Sequence, residues 1–589
     1  MAVPKFMHIL CELPEKTKDS RVFFLAALGI FVLLAVFFYA PWGMDWGAYG
    51  KDDWDELIFL HAVSAWSVKY FHQFPLWNPY LRGGSSLIGN PQTPSPLSLT
   101  FLLSLLLGPL MGIKLGNILN AVIGMVGMYV LLGYFEAIWI ARILAAVVLA
   151  FNGEMLYHVS QGQFMWMMTM YWPWAFLFFL KGLDKRAWMY LAALMLSVQF
   201  WGAATYPFAF VISVLGLLTV LLALRDKKVG HLLRFAEMMG AFIIFSAPRL
   251  LMVMETLYRF PRVTINEDAQ VPWNIFYYAF LCRDQINNHI VGLKIDEFSA
   301  YVGRIPLGLV VALFFQWRKY WPYLCVLLFS LGLALGNSPF SPFWPIFHLL
   351  SAGYFHFSTR AFLISVFFIA MASGLSLSYL VLRWREKYPV LVLLSCLGVV
   401  FVVIDLCVVL SPVRKFTVTD ARPYQDFQPN IPFSQLEVTD KERYRFGNSS
   451  MTDLLLRNTG TANGYDPLPI LSHVIPQNSQ NYRGEFYFQG GAGKPEIVSW
   501  SPNKWVVKPQ VSQRDILVVN QNFDPGWKTS PPRKVLDVGG LIGLEVTPED
   551  NNIVFYYLPF NFILGWLVSF MGLIVIAWDV LASRGMKNV

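Results

Sequence analysis

Residues 22–40, VFFLAALGIFVLLAVFFYA, form an uninterrupted apolar run of about the length that crosses a bilayer core. Comparable runs follow at 96–112, 115–134, 142–157, 164–181, 187–203, 207–224, 232–252, 305–316, 320–335, 361–381, 388–411 and 559–581. In lipid every backbone N–H and C=O must find its partner inside the protein, so helices are the fold open to runs of this length. The chain is 56% hydrophobic and only 14% charged, which makes it an integral membrane protein. Low charge with 21 Trp and 49 Phe excludes a disordered chain. No basic, base-stacking surface pattern points to nucleic acid. Five Cys without a C-x-x-C pair support neither a zinc site nor a disulfide framework.

The net charge of +8 is informative by position. Lys5, Lys16, Lys18 and Arg21 precede the first run and favour a cytoplasmic N-terminus. A signal peptide is the rival reading, but Trp42, Met44 and Asp45 follow the run in place of a small-residue cleavage site, so it reads as a retained anchor. Lys181, Lys185 and Arg186; Arg225, Lys227 and Lys228; Arg318 and Lys319; Arg383, Arg385 and Lys387; and Arg584 with Lys587 share one side if one early run fails to cross. The short run 96–112 is the best candidate for that re-entrant piece, with 142–157 the alternative. About twelve transmembrane helices result, both termini cytoplasmic.

The same parity sends the long polar connections outward: about 41–95, 153–163, 253–304, 336–360 and 412–557. It leaves Cys282 alone outside, with no disulfide partner. The chain divides into a helical bundle over 1–411 with a large first outer loop, an extracytoplasmic domain over 412–557, and a final span and tail over 558–589. Turn signals such as NTGTANGYDPLP and alternating segments DILVVNQ, GLIGLEV and NNIVFYYLP make 412–557 β-rich.

The first outer loop opens on an acidic knot, Asp52, Asp53, Asp55 and Glu56, before a stretch in which Leu57, Leu60, Val63 and Ser64 recur at helical spacing. Asp52 or Asp53 is placed to cap that helix. Carboxylates this close also repel one another, which raises a pKa toward general-base duty or suits the group to a divalent cation. Both readings stand on the residues alone. Downstream, FPLWNPYLRGG and GNPQTPSP describe a rigid interfacial loop that needs a surface to pack on, either the bilayer headgroups or the domain over 412–557.

An Asp-Trp element about twenty residues before F-P-x-W-N-P, followed by G-G and N-P-Q, resembles the bacterial YfhO-like membrane proteins of the GT-C glycosyltransferase superfamily. GEMLYHVSQGQFMWMMTMYWPW, EFSAYVGRIPLGL, FHFSTRAFLISV and LVVNQNFDPGWKTS with NNIVFYYLPFNFILGWLVS are similar to later elements of that family, in the same order along the chain. Two places depart from the pattern: Glu154 where a small residue is expected, and Ser358 and Thr359 where a Pro precedes the late Arg.

The resemblance implies a GT-C-like bundle. It also implies transfer of a sugar from a polyprenyl-phosphate donor to an envelope glycan, lipid or protein acceptor on the outer face, by inverting displacement. Such chemistry asks for a carboxylate base in an outer loop, a guanidinium at headgroup depth and an apolar groove. Asp53 is the implied base and Asp55 the second choice; Arg360, at the outer end of a late span, is the implied phosphate clamp, against an interfacial anchor on position alone. His158, with Gln161 and Gln163, is a candidate to orient sugar or phosphate. Glu297 and Tyr301 come from the Y-x-G element as substrate contacts. Arg259, with Glu255 and Arg262, reads as an exposed ion-pair set or as a donor-phosphate contact. CRDQINNH, with Asp284 and His289, has no recognised ligand spacing. No cofactor is required, a divalent metal being the open alternative at the acidic knot.

Two other functions fit the same composition. A transporter or flippase of lipid-linked glycan places ionisable residues in mid-membrane, where Glu237 and Asp405 are the candidates. A non-catalytic scaffold would use 412–557 to bind envelope polymer.

Overall fold

The computed structural model describes residues 20–39, 48–50, 53–94, 96, 98–262, 271–284, 295–339, 341–351, 353–355, 357–388, 390–417, 419–421, 427–438, 450–491 and 493–585. Lys5, Lys16, Lys18, Trp42, Met44, Asp45, Asp52, His289 and Lys587 lie outside the described residues.

The chain runs from helix α1 (Ser20–Tyr39) through a short strand β1 (Ala48–Tyr49) into α2 (Trp54–Lys69), then the antiparallel pair β2 (Trp77–Asn78) and β3 (Ser85–Ser86). Helices α3 (Leu99–Leu107), α4 (Pro109–Tyr134), α5 (Trp139–Ala150), α6 (Gly153–Ser160), α7 (Trp172–Gly182), α8 (Ala187–Trp201), α9 (Thr205–Asp226) and α10 (Gly230–Arg259) follow. Next come α11 (Arg304–Ala312), α12 (Trp317–Ala334), α13 (Phe343–Leu350), α14 (Phe362–Trp384) and α15 (Val390–Thr417).

Beyond α15, β4 (Thr419–Ala421) pairs with β1, and β5 (Ser434–Leu436) pairs in parallel with β6 (Thr459–Thr461) across α16 (Ser450–Leu456). Then come β7 (Phe486–Phe488), β8 (Glu496–Ser501), β9 (Lys504–Lys508), β10 (Asp515–Asn522), β11 (Trp527–Ser530), β12 (Leu536–Val538), β13 (Leu541–Val546) and β14 (Ile553–Tyr557), and the closing helix α17 (Phe560–Gly585).

Among the described residues eight helical stretches are long and apolar enough to cross a membrane, against the twelve or so crossings expected. They are α1, α4, α5 running on through α6, α9, α10, α14 with the turn before it, α15 and α17. The other runs come out short or broken for readable reasons. Run 164–181 starts as a 3-10 helix, Phe164–Tyr171, and turns α-helical where Pro173, which has no N–H to lose, is tolerated in a first turn. Run 187–203 gives the 15-residue α8, and run 305–316 gives the nine-residue α11 and a 3-10 turn. Run 320–335 lies in α12, which opens on Arg318 and Lys319. Of the two candidates for the non-crossing piece, 96–112 holds the nine-residue α3, about 14 Å at 1.5 Å per residue and half of a bilayer core. Run 142–157 falls within a stretch of span length.

Inside the bundle, Pro248 interrupts α10. Its missing N–H leaves the Ile244 carbonyl without its helical partner, and Ser569 of α17 donates its hydroxyl there at 2.5 Å. The next residue, Arg249, is fully buried, with Nη1 on the Trp201 carbonyl at 2.9 Å and Nη2 on the Pro91 carbonyl at 3.1 Å. A charge at that depth persists because carbonyls replace its water.

The C-terminal strands make two antiparallel four-stranded sheets, ordered β12-β13-β10-β7 and β11-β14-β9-β8. Buried residues alternate with exposed or half-buried ones along β9, β11 and β14, the period of a strand with one face in a core. Phe488, Leu517 and Ile542 from one sheet meet Trp505, Trp527 and Phe555 from the other in a single apolar cluster.

Trp77 of the first loop enters the same cluster and donates its indole N–H to Gln521 at 3.1 Å. Arg82, Gly83 and Gly84 run at φ +48°, +81° and +101°, and a Cβ at Gly84 would stand 2.4 Å from Gln521 Oε1. The R-G-G of the sequence is thus the turn that brings FPLWNPY back onto the β region.

Candidate functional site

The acidic knot separates into distinct roles. Asp53 stands at the N-cap of α2, yet its φ/ψ of −75°/1° is not the extended geometry of a capping residue and its side chain caps nothing. The sequence reading of a cap therefore fails for Asp53. Its backbone N–H instead reaches the Gln161 carbonyl at 2.9 Å, and its half-buried carboxylate accepts from Gln163 Nε2 at 3.0 Å. Gly162 makes this possible. At φ +92° it lets two backbones touch, since a Cβ there would lie 2.3 Å from Trp54 N and 2.6 Å from Asp53 C. Trp54 completes the dock by donating its indole N–H to the Ser160 carbonyl at 2.8 Å.

Asp55, the second choice for base, is occupied elsewhere. It accepts from the backbone N–H groups of Met451 and Thr452 at 3.2 and 3.1 Å and from Thr452 Oγ1 at 2.7 Å. It caps α16, a helix of the β-rich region. Glu56 is buried, and burial, with Asp53 and Asp466 nearby, holds its carboxyl well above the usual carboxylate range while Arg262 pulls it down.

Behind Asp53 runs a chain of side chains on α6 and the turn that follows. Gln163 Oε1 takes the Trp166 indole N–H at 3.0 Å and faces His158 Nδ1 at 2.6 Å. His158 Nε2 stands 3.2 Å from Glu154 Oε1, both side chains fully buried. Glu154, at a position where the resemblance implies a small residue, thus stands against His158. The His158 ring stacks on Trp166 at 3.8 Å, Trp166 on Tyr206 at 5.9 Å, and Phe355 meets Tyr206 edge-on at 4.7 Å.

This aromatic row leads to a cavity of about 350 Å³ with apolar walls that include Phe200, Phe208, Val253, Leu257 and Phe355. Among the described residues Arg262 is the charged member of its lining, with its guanidinium 5.4 Å from the Tyr354 ring centre. The charge of Arg262 bears on Glu56, Asp466 and Tyr465, and that of Asp53 on Glu56 and Tyr465, so Arg262 and Asp53 share neighbours around Glu56. Asp466 comes from the turn GYDPLP. Burial pushes its carboxyl up to about 6, while the Leu468 N–H, Arg82 and Arg262 draw it back.

The other expected contacts are engaged by protein partners. Arg360 was expected to present an open fork, but Nε and Nη2 both donate to Glu297, at 2.6 and 2.5 Å, and the pair is buried. The face of the guanidinium lies 4.5 Å over Tyr206, so Arg360 and Glu297 brace the aromatic row. Tyr301 donates its hydroxyl to Asp405 at 2.6 Å, and Arg283 pairs with the same carboxylate at 2.8 Å. Arg259 is ion-paired with Asp524 on the far side of α10's end. Glu237, the other acidic residue a transport reading needs, pairs with Arg186 and Arg234 at 3.3 and 2.8 Å. Among the described residues no group of three or more His, Cys, Asp or Glu side chains is arranged to hold a metal ion.

Sequence reasoning grouped His158 with Gln163 and named Asp53 and Arg262 apart from them, and missed Asp466, whose turn motif carries no chemical signature.

No family model matches the sequence, and no curated protein matches it. Among solved structures the chain is similar to arabinofuranosyltransferase AftD from Mycobacteria, at 15% identity and a TM-score of 0.45 over 76% of this chain and 32% of that one. The chain thus spans about a third of the AftD chain. It is also similar to ArnT from Cupriavidus metallidurans bound to undecaprenyl phosphate, at 12% identity and a TM-score of 0.34 over 68% of this chain and 76% of that one.

Proposed function

We propose that this chain is a membrane glycosyltransferase of the bacterial cytoplasmic membrane, with cytoplasmic termini. It moves a sugar from a polyprenyl-phosphate donor to a hydroxyl of an extracytoplasmic envelope acceptor, with inversion. The observation that supports the reading is a carboxylate positioned by Gln163, Asp53, and a guanidinium in the lining of an apolar cavity, Arg262, both near enough to buried Glu56 to act on its charge.

In this reading the isoprenoid tail lies in the cavity and Arg262 holds the phosphate, whose bidentate recognition suits a guanidinium. Asp53 takes the proton of the acceptor hydroxyl. The acceptor oxygen bonds to the anomeric carbon as that carbon's bond to the phosphate oxygen breaks, and polyprenyl phosphate departs with the electron pair. The leaving group is already a stable anion, so no strong general acid is needed. Arg360 with Glu297 and His158 with Glu154 act as positioning groups.

The test uses the full chain in nanodiscs with a radiolabelled polyprenyl-phosphate sugar and envelope fractions as acceptor. Label passing to the acceptor with release of polyprenyl phosphate, and little such transfer in Asp53→Asn, is the expected result. Transfer undiminished in Asp53→Asn overturns the assignment of the base, and no transfer by the wild type overturns the reaction.

A further inference from the structure

The last two turns of α10 separate two cavities. Val253 and Leu257 face the apolar one; Glu255, Thr256 and Arg259 face a second, of about 370 Å³, which the reaction above leaves unused. Its remaining walls come from the Ser85–Ser86 turn of the first loop and from the β region. We propose that this second cavity binds a neutral sugar residue of the acceptor glycan, an assignment that rests on the transferase reading for the word acceptor alone.

The lining chooses the ligand's chemistry. Trp77 and Tyr557, buried with ring centres 4.8 Å apart, make part of the wall apolar. Around them stand three carboxylates, Glu255, Asp524 and Asp537, against one guanidinium, Arg259. Asp524 is held by Arg259 and by the Gly526 N–H at 2.8 Å, and Asp537 by the Gly540 N–H at 2.7 Å. Fixed carboxylates accept from hydroxyl groups in set directions. Their excess of negative charge turns away phosphates and uronic acids. An isoprenoid chain here would cover these polar groups without giving them partners. The volume lies at the lower end of the range of small-molecule sites, about 300–1,000 Å³. Leu471, 70% exposed, stands at the mouth with His473 and Asp537, so the cavity opens outward from the β region. Donor lipid and acceptor sugar would then lie on opposite sides of one helix end.

Isothermal titration of the full chain in nanodiscs with maltotriose, chitotriose and a galactose trisaccharide tests the assignment, with glucose 1-phosphate as the anionic control. We expect at least one neutral trisaccharide to bind and the phosphate not to. Leu471→Trp narrows the mouth without removing a polar group and should weaken binding about tenfold or more; Asp537→Asn, at an exposed position, should weaken it several-fold. Binding by none of the neutral probes, or binding indifferent to Leu471→Trp, overturns the proposal. Trisaccharide binding that depends on Leu471, in a protein that transfers no sugar, upholds this cavity and overturns the transferase reading. Transfer without such binding does the reverse.

Discussion

Gln163 donates to the Asp53 carboxylate through Nε2 at 3.0 Å, and its other end is fixed by the Trp166 indole N–H, which can only donate. The amide orientation follows, and His158 must donate from Nδ1 to Gln163 Oε1 at 2.6 Å, so its 3.2 Å contact with Glu154 takes a second proton, on Nε2 or on the carboxyl. An amide does not pass protons along, so the chain from Glu154 to Asp53 aims the carboxylate and does not wire it. Gln163→Leu should therefore lower turnover roughly tenfold, less than the two to four orders of magnitude typical of losing a base. Gln163→Glu sets a second carboxylate against Asp53 and should move the acid limb of the pH–rate profile upward. A profile unmoved in Gln163→Glu would separate Asp53 from the base.

Gly162 is the hinge of the same arrangement. Gly162→Ala meets the Trp54 backbone N at 2.3 Å in a left-handed conformation, and neither backbone can yield cheaply. Strain of about 1–3 kcal/mol is expected, relieved by undocking the start of α2. Limited proteolysis near Asp53 and a lower Tm would report it; wild-type resistance and turnover would show that the dock is dispensable.

Arg360 and Glu297 form a buried two-point ion pair. Removing one partner strands a charge, at a typical cost of about 3–5 kcal/mol. Arg360→Ala and Glu297→Ala should each lower Tm markedly, and the double variant should fall short of their sum by about 1–3 kcal/mol. Arg360→Lys, a point charge in place of a fork, should recover part of the loss. A raised donor KM at unchanged Tm would instead make Arg360 a direct donor contact.

Much of the architecture was legible because it is local. Span length, strand alternation in DILVVNQ and NNIVFYYLP, and a Trp-Pro loop in need of a surface are all written in short windows. The site was legible residue by residue and not as pairs. Glu297 and Arg360 were both singled out, yet no local pattern says that one fills the other's fork. Asp55 looked like a member of a repelling knot because its partner, the N-terminus of α16, lies far along the chain. Asp466 was invisible for the same reason: a turn motif gains chemistry only from what the fold sets beside it.

Buried carboxyls in the β-rich region make a pH prediction. Burial pushes Glu485 from 4.5 up to about 8, against the Tyr482 hydroxyl, the Gln435 N–H and Asn520, and Asp466 rises from 3.8 to about 6. In both, the native state holds the proton more tightly than the unfolded chain. The stabilisation is complete below about pH 4 and fades as pH rises through 6 and 8, on the order of a few kcal/mol in all. Thermal unfolding followed by Trp fluorescence should show Tm falling from pH 5 to pH 9. Glu485→Gln should flatten that slope whatever it does to the absolute Tm, and a slope unchanged in the variant would place the proton elsewhere.

Donor and base are separable by kinetics. On the proposed reading Arg262, in the lining of the apolar cavity, would hold the phosphate in the ground state and meet more charge as the leaving group forms. Arg262→Ala should thus raise the donor KM and lower kcat, with Arg262→Lys between the two. Asp53→Asn removes a group that acts on the acceptor proton in the transition state alone, so kcat should fall by about two to four orders of magnitude at nearly unchanged donor KM. Equal losses in donor KM for both variants would mean that Asp53 helps to build the phosphate site. In that case Asp466, which also carries a carboxyl to the group around Glu56 and has one raised to about 6, becomes the base to test through Asp466→Asn.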